Sequence, residues 1–359
     1  MARPGSPFWQ LARMAPLLLL LLAAAVVGSA SGLNYYRPRQ EGGSPAPLQG
    51  GTPQGDCPAE CECPARWPES LYCDGRGLKV MPPIPARIRF AFFQDNQLDV
   101  VPEGALRNAT RLEWLVLQRN QITELDSGAL ARLGELQRLY LDFNNLTQVP
   151  PSLPLSLLDL RLGHNRISSV AGGTLGTLHN LTSLLMHNNL LGEGGFGALG
   201  SLKSLRRLDL SGNALRSLPT PLPATLQQLY LDHNLVPSIP SGFLKALPEL
   251  QYLRLSHNAL GSAEIPVEAF NSSASLLELG LSFNNLSRVP ALPASLQHLY
   301  LQGNSIRELD AQALCGGGGV VGGPGAPRGL RRVRLDGNPL PRGLLPHLAS
   351  ACPGPELVF

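Results

Sequence analysis

The 359-residue chain is poor in charge, in aromatic rings and in long apolar runs: charged residues make up 15% and aromatics 6%. Lysine and arginine exceed aspartate and glutamate by only 29 to 26, so bulk electrostatics give no affinity for nucleic acid. After residue 30 no stretch is long and apolar enough to span a bilayer. No nucleophile, base and orienting acid form a recognisable arrangement, so the chain does not read as an enzyme and no cofactor is expected. Gly317, Gly319 and Gly322 meet a phosphate-loop spacing by composition alone, with no strand-turn-helix unit around them.

What the chain has is a repeat. Eleven times an Asn closes the comb Leu-x-x-Leu-x-Leu-x-x-Asn-x-Leu: Asn96, Asn120, Asn144, Asn165, Asn189, Asn213, Asn234, Asn258, Asn284, Asn304 and Asn338. Of the 44 apolar comb positions only Ala91 departs from Leu, Ile, Val, Met or Phe. The second and third comb leucines alternate with polar or aromatic neighbours, the period-2 pattern of a short strand with one buried face. One coil cannot bury that face alone, so the coils must stack with their strands in parallel, which makes a leucine-rich-repeat solenoid. The Asn amide is expected to bond backbone in the turn after each strand. Proline-rich connections, such as Val149-Pro150-Pro151-Ser152-Leu153-Pro154, exclude full helices on the outer side. The expected form is an open horseshoe with a parallel sheet on its concave face and a mostly loop and extended convex side.

At the N-terminus Arg3 and Arg13 precede the apolar run 17–27, and Gly28-Ser29-Ala30 suits cleavage, so residues 1–30 read as a signal peptide and the mature chain as secreted. Its loss lowers the formal charge from +3 to +1. Residues 31–56, rich in Gly and Pro, read as a flexible arm. Cys57, Cys61, Cys63 and Cys73 make a cap over 57–80, repeats occupy 81–314, and Cys315 and Cys352 fall in a terminal segment, 315–359. An even cysteine count at the open ends of a secreted solenoid reads as disulfide caps rather than metal knuckles. Spacing alone leaves three pairings for the first four.

The run Cys57-Pro-Ala-Glu-Cys61-Glu-Cys63-Pro through Leu71-Tyr72-Cys73-Asp74, the short-long-long repeat rhythm and the 34-residue step holding Cys315 resemble the class II small leucine-rich proteoglycans, the group of fibromodulin, lumican and keratocan. Phe270-Asn271-Ser272-Ser273 and Leu299-Tyr300-Leu301-Gln302-Gly303-Asn304 look most like fibromodulin. The resemblance implies Cys57–Cys63, Cys61–Cys73 and Cys315–Cys352 pairing, keratan sulfate on asparagine, an extracellular-matrix location, and binding of fibrillar collagen that regulates fibril assembly. The alternative partner is a growth factor, such as the transforming growth factor β group, or a receptor, met by a soluble ligand or decoy. The arm departs from the group, because Tyr35 and Tyr36 lie beside arginines and not acids, which argues against tyrosine sulfation.

Five N-glycosylation sequons occur, at Asn108, Asn145, Asn180, Asn271 and Asn285, all outside the expected strands. Asn180 directly precedes comb Leu181 and is expected to be the most shielded. Between the second and third comb leucines stand Tyr140, Arg161, Asp209, Tyr230, Arg254 and Tyr300, residue types enriched at binding hot spots, and these form the candidate partner-binding face. Trp114, Phe143, Tyr252 and Phe283 flank it. His164, His233 and His257 hold equivalent positions before comb asparagines, but only the last two lie on adjacent coils, too few ligands for zinc.

Overall fold

The computed structural model describes residues 55–359 except 172, 195, 267, 272, 310–313, 315–328, 342, 344–347 and 349–353. The expected signal peptide, most of the expected arm, and Cys315 and Cys352 with their expected bridge lie outside the described residues.

Thirteen short parallel strands form one sheet. The first is β1 (Ser70–Tyr72), then β2 (Phe90–Phe92); β3 (Val100–Val101) lies outside this sheet, and β4 (Trp114–Val116) continues it. β5 (Glu124–Leu125) pairs with β3 on the convex side. The main sheet then runs through β6 (Arg138–Tyr140), β7 (Asp159–Arg161), β8 (Ser183–Leu185), β9 (Arg207–Asp209), β10 (Gln228–Tyr230) and β11 (Tyr252–Arg254). It ends with β12 (Glu278–Gly280), β13 (His298–Tyr300), β14 (Arg332–Arg334) and β15 (Glu356–Val358). Each strand pairs with the next in register, so comb residues align as Leu115, Leu139, Leu160, Leu184 and onward. Among apolar comb positions Leu340 alone is half-buried; the others are buried at 8% exposure or less. The columns therefore merge into one core along the stack, which is what removes each coil's apolar face from water.

Each comb Asn ties two coils together. The Asn144 amide donates to Leu141 O of its own coil and to Leu117 O of the preceding coil, both at 3.0 Å, while its carbonyl oxygen accepts from Ile122 N at 3.0 Å. The bond to the neighbouring coil adds to the expected bond within the turn. Asn fits because one short side chain supplies two donors and an acceptor to backbone groups that have left the ladder. The residue before every comb Asn has positive φ, from 52° at Asn188 and Phe283 to 73° at Gly337.

On the convex side the described helices are single turns, α1 (Glu103–Leu106) and α2 (Glu268–Asn271), with 3-10 segments at Phe196–Ser201 and Leu244–Ala246. At the N-terminal edge the structure joins Cys57 to Cys63 and Cys61 to Cys73. Glu62 and Tyr72 exchange backbone hydrogen bonds at 2.8 and 2.9 Å, which lays an antiparallel segment over the open edge of β1.

Candidate binding face

In a strand alternate side chains leave the core, so the concave surface carries three rows: the residue before the second comb leucine, the one between the second and third, and the one after the third. The middle row holds the six residues expected to bind, and the structure separates them into two groups.

Tyr140 requires a correction. Its ring is only 5% exposed. The Arg161 guanidinium lies 4.1 Å above it, and its hydroxyl donates to Asp159 at 2.9 Å. Arg161 donates to the same Asp159 oxygen at 3.1 and 3.2 Å. Burial, reinforced by the Asp159 charge, pushes the Tyr140 hydroxyl well above the ordinary tyrosine range. One carboxylate oxygen of Asp159 thus holds both neighbours, and Tyr140 is not open to a partner.

Further along, Tyr230 is half-buried with the guanidinium of Arg207 at 5.5 Å and that of Arg254 at 5.3 Å from its ring centre. Its hydroxyl donates to Gln228 at 3.2 Å, and burial raises its pKa. Arg254 is exposed and reaches across to buried Glu278 at 2.7 and 2.8 Å. Gly280 stands opposite Arg254 on β12, where a Cβ would lie 3.4 Å from Arg254 Cγ and 3.3 Å from Ser256 Oγ, close packing without overlap. Half-buried Tyr300 follows on β13. Asp209 accepts from Ser211 N at 3.0 Å and faces His187 Nδ1 at 3.8 Å, so it sits between the two groups.

Arg138 and Arg207 belong to this face but stand in the first row, one position outside the row read from the sequence. Arg138 lies 4.1 Å over Trp114. Among the described residues neither has an ion-pair partner, whereas Arg89, Arg161, Arg254, Arg332 and Arg334 all do. They occupy equivalent positions on β6 and β9, three strand steps or about 14 Å apart. The period of two in strands was the signal that could have found them. At the N-terminal end Tyr72 stacks on Phe92 at 5.0 Å and Phe90 meets Trp114 edge-on at 5.6 Å, a plate of rings.

His233 and His257 stack face to face at 4.1 Å, and His257 stacks on Phe283 at 4.3 Å. His164 stacks on Phe143 at 4.0 Å and meets His187, unremarked in the sequence, at 5.2 Å. Burial lowers the His164 and His257 pKa values, with His187 and His233 adding to the effect. Among the described residues no three His, Cys, Asp or Glu are placed to hold a metal ion.

Asn108, Asn180, Asn271 and Asn285 are exposed, and Asn145 is half-buried. The shielding expected at Asn180 is absent; its amide instead donates to Leu155 O at 3.1 Å. No helix among the described residues is long and apolar enough to cross a membrane.

Comparison with known proteins matches Leucine rich repeat descriptions to residues 94–146, 155–215, 224–286 and 295–316. Fibromodulin of Bos taurus is 44% identical, covering 86% of this chain and 82% of its own. Lumican of Rattus norvegicus is 39% identical over 92% of this chain and 95% of its own, and keratocan of Bos taurus 39% over 81% and 86%. Among solved structures, a chain in the octameric complex of Latrophilin 3, Unc5D and FLRT2 (LRR) superposes with TM-score 0.61 at 27% identity, covering 82% of this chain and 81% of its own. A leucine-rich-repeat protein of Leptospira interrogans, at TM-score 0.57 and 22% identity over 78% and 82% of the two chains, shares the fold alone.

Proposed function

The chain belongs to the class II small leucine-rich proteoglycans, and from that premise we propose that it is a secreted, N-glycosylated matrix protein that binds fibrillar collagen through its concave face and regulates fibril assembly. It works by binding and not by catalysis. The observation that carries the reading is the arrangement on β9–β11, an aromatic plate at Tyr230 between the guanidiniums of Arg207 and Arg254. Collagen offers a rod with periodic charges and exposed prolines, and a ring flanked by cations can meet both.

The face carries charges of both signs, with the carboxylates of Asp142 and Glu278 buried. Arg138, Arg161, Arg207, Arg254, Arg332 and Arg334 are interspersed with Asp142, Asp159, Asp209, Asp232, Glu278 and Asp336.

Solid-phase binding of the secreted full chain to purified fibrillar collagens, run beside growth factors of the transforming growth factor β group, tests the reading. Saturable collagen binding with slowed fibril formation is the expected result. Binding to a growth factor with none to collagen would replace it with the soluble ligand or decoy. The same reading includes glycans at Asn108, Asn145, Asn180, Asn271 and Asn285 and a Cys315–Cys352 bridge, which glycopeptide and non-reducing peptide mapping test directly.

A further inference from the structure

Six of the turns described above, at Arg119, Phe143, His164, His233, His257 and Phe283, carry a residue other than Gly, Asn or Asp, and two of these residues are phenylalanines. At positive φ a side chain crowds its own backbone, so Gly, Asn and Asp are the inexpensive choices. Gly212, Gly303, Gly337, Asn188 and Asp95 follow that rule, while Phe143 (φ 57°) and Phe283 (φ 52°) do not. Neither ring is core, for they are 44% and 48% exposed. Each ring is held between neighbours of the adjoining coils and keeps an outer rim open to water.

The sequence beside them holds a candidate partner for that rim. Phe143-Asn144-Asn145-Leu146-Thr147 and Phe283-Asn284-Asn285-Leu286-Ser287 are the same motif, a phenylalanine two residues before a sequon asparagine. The other nine turns have neither a phenylalanine at the strained position nor a sequon in this register. We propose that Phe143 and Phe283 are platforms on which the first N-acetylglucosamine attached at Asn145 and Asn285 rests; this builds on the glycosylation reading above.

Ring and sequon asparagine are the solvent-facing residues of one short turn. Phe143 is open, Asn144 is 6% exposed, Asn145 is half-buried and Leu146 is 2% exposed; Phe283, Asn284, Asn285 and Leu286 repeat the alternation, with Asn284 at 6% and Leu286 at 0%. The backbone between them is pinned, because Asn145 N donates to Ile122 O and Asn285 N to Leu260 O, each at 2.9 Å. Both ring faces are occupied. Phe143 has His164 at 4.0 Å on one side and the Arg119 guanidinium at 5.5 Å on the other, and Phe283 lies between His257 and Gly303. The outer rim is what remains open. That rim is the positive edge of the ring quadrupole, suited to the ring oxygen and acetamido carbonyl of the sugar, with C–H groups covering the apolar edge. Because the sugar is covalently attached two residues away, contact involves no loss of free translation.

The other three sequons serve as internal controls. Two residues before Asn108, Asn180 and Asn271 stand Leu106, Leu178 and Ala269, at 0%, 0% and 3% exposure, all committed to the core. They offer no outward platform.

The test uses full-length protein secreted by cells that make high-mannose glycans, as wild type and as Phe143→Gly/Phe283→Gly. Glycine occupies the same turn position at 212, 303 and 337, so the variant keeps the backbone. Each is melted intact, after endoglycosidase trimming to one sugar, and after amidase removal of the whole glycan, with glycopeptide mapping of every sample. In wild type, trimming is expected to leave Tm unchanged and complete removal to lower it by about 2–4 °C, whereas the variant loses less than half as much on complete removal. Occupied Asn145 and Asn285 with equal losses in both proteins would overturn the platforms and leave glycosylation standing. Unmodified Asn145 and Asn285 in wild type would overturn both the platforms and the glycosylation reading at those sites.

Discussion

Two clusters on the concave face are built from the same residue types at the same repeat position, yet one is closed and the other open. Tyr140, Arg161 and Asp159 lie on β6 and β7; Tyr230, Arg254 and Glu278 lie on β10, β11 and β12. In the first, the acid stands two residues before the arginine on one strand, so a single carboxylate oxygen takes both the guanidinium and the tyrosine hydroxyl. In the second, the acid is one strand further on, two residues before Gly280, and the arginine is drawn away from the tyrosine hydroxyl, which bonds Gln228 instead. Availability for a partner is thus set by where the counter-charge lies and not by the identity of the tyrosine and arginine.

The largest expected effect comes from breaking the closed cluster. Asp159→Ala removes the shared acceptor and leaves Tyr140 and the largely covered Arg161 without it, so stability is expected to fall by about 3 kcal/mol, with collagen affinity per folded molecule unchanged. Urea unfolding beside solid-phase binding checks both halves. A variant that lost affinity without losing stability would show that the closed cluster does take part in binding.

The open cluster is expected to behave the other way. Tyr230→Ala with Arg254→Ala weakens collagen binding by about 2 kcal/mol, roughly thirtyfold. Because Glu278 is buried at 8% exposure, loss of Arg254 leaves an unpaired carboxylate, and Glu278→Gln added to the pair restores part of the stability without restoring binding. Full affinity in the folded triple variant would move the collagen site elsewhere.

These distinctions mark what could be read from the sequence. The comb leucines announce their burial through spacing, because each must face inward for the stack to close, and the Asn bonds follow from the same turn geometry. The closing of Tyr140 depends on Asp159, a residue in a neighbouring row that becomes significant only once strand register brings it under the Tyr140 hydroxyl. Arg138 and Arg207 share the first row with Trp114 and Tyr252, and what distinguishes them, the lack of an ion pair among the described residues, is set by neighbours that only strand register brings close. Adjacency to Leu181 does not shield Asn180, because the Leu181 side chain turns inward and leaves the asparagine exposed. The final strand at Glu356–Val358 has no comb of its own to announce it.

A smaller effect separates the two unpaired arginines from the paired ones. Arg138→Ala and Arg207→Ala are each expected to weaken binding by about 1 kcal/mol, roughly fivefold, and to make the remaining affinity less sensitive to salt. Arg332→Ala, whose guanidinium already has Glu356 at 2.8 Å, is expected to do less. An equal loss at all three would mean that internal pairing does not decide which cation reaches the partner.

The smallest expected effect is on pH dependence, and it belongs to the ring columns beside the face. His164 and His257 have pKa values lowered from 6.5, chiefly by burial. Below 6.5 the unfolded chain therefore binds protons that the folded chain does not, so stability falls as pH drops through 6.5 and stops falling once the folded histidines also protonate. Asp142 and Asp232 act in the opposite sense. Burial raises their pKa values, so their charged forms weaken the fold at neutral pH, and that penalty is relieved as pH falls through the raised values. Melting followed downward from pH 7.5 is expected to show a shallow loss beginning near 6.5, then a partial recovery under more acid conditions. His164→Gln/His257→Gln should flatten the first limb and leave the recovery in place; an unaltered first limb in that variant would assign it to other groups.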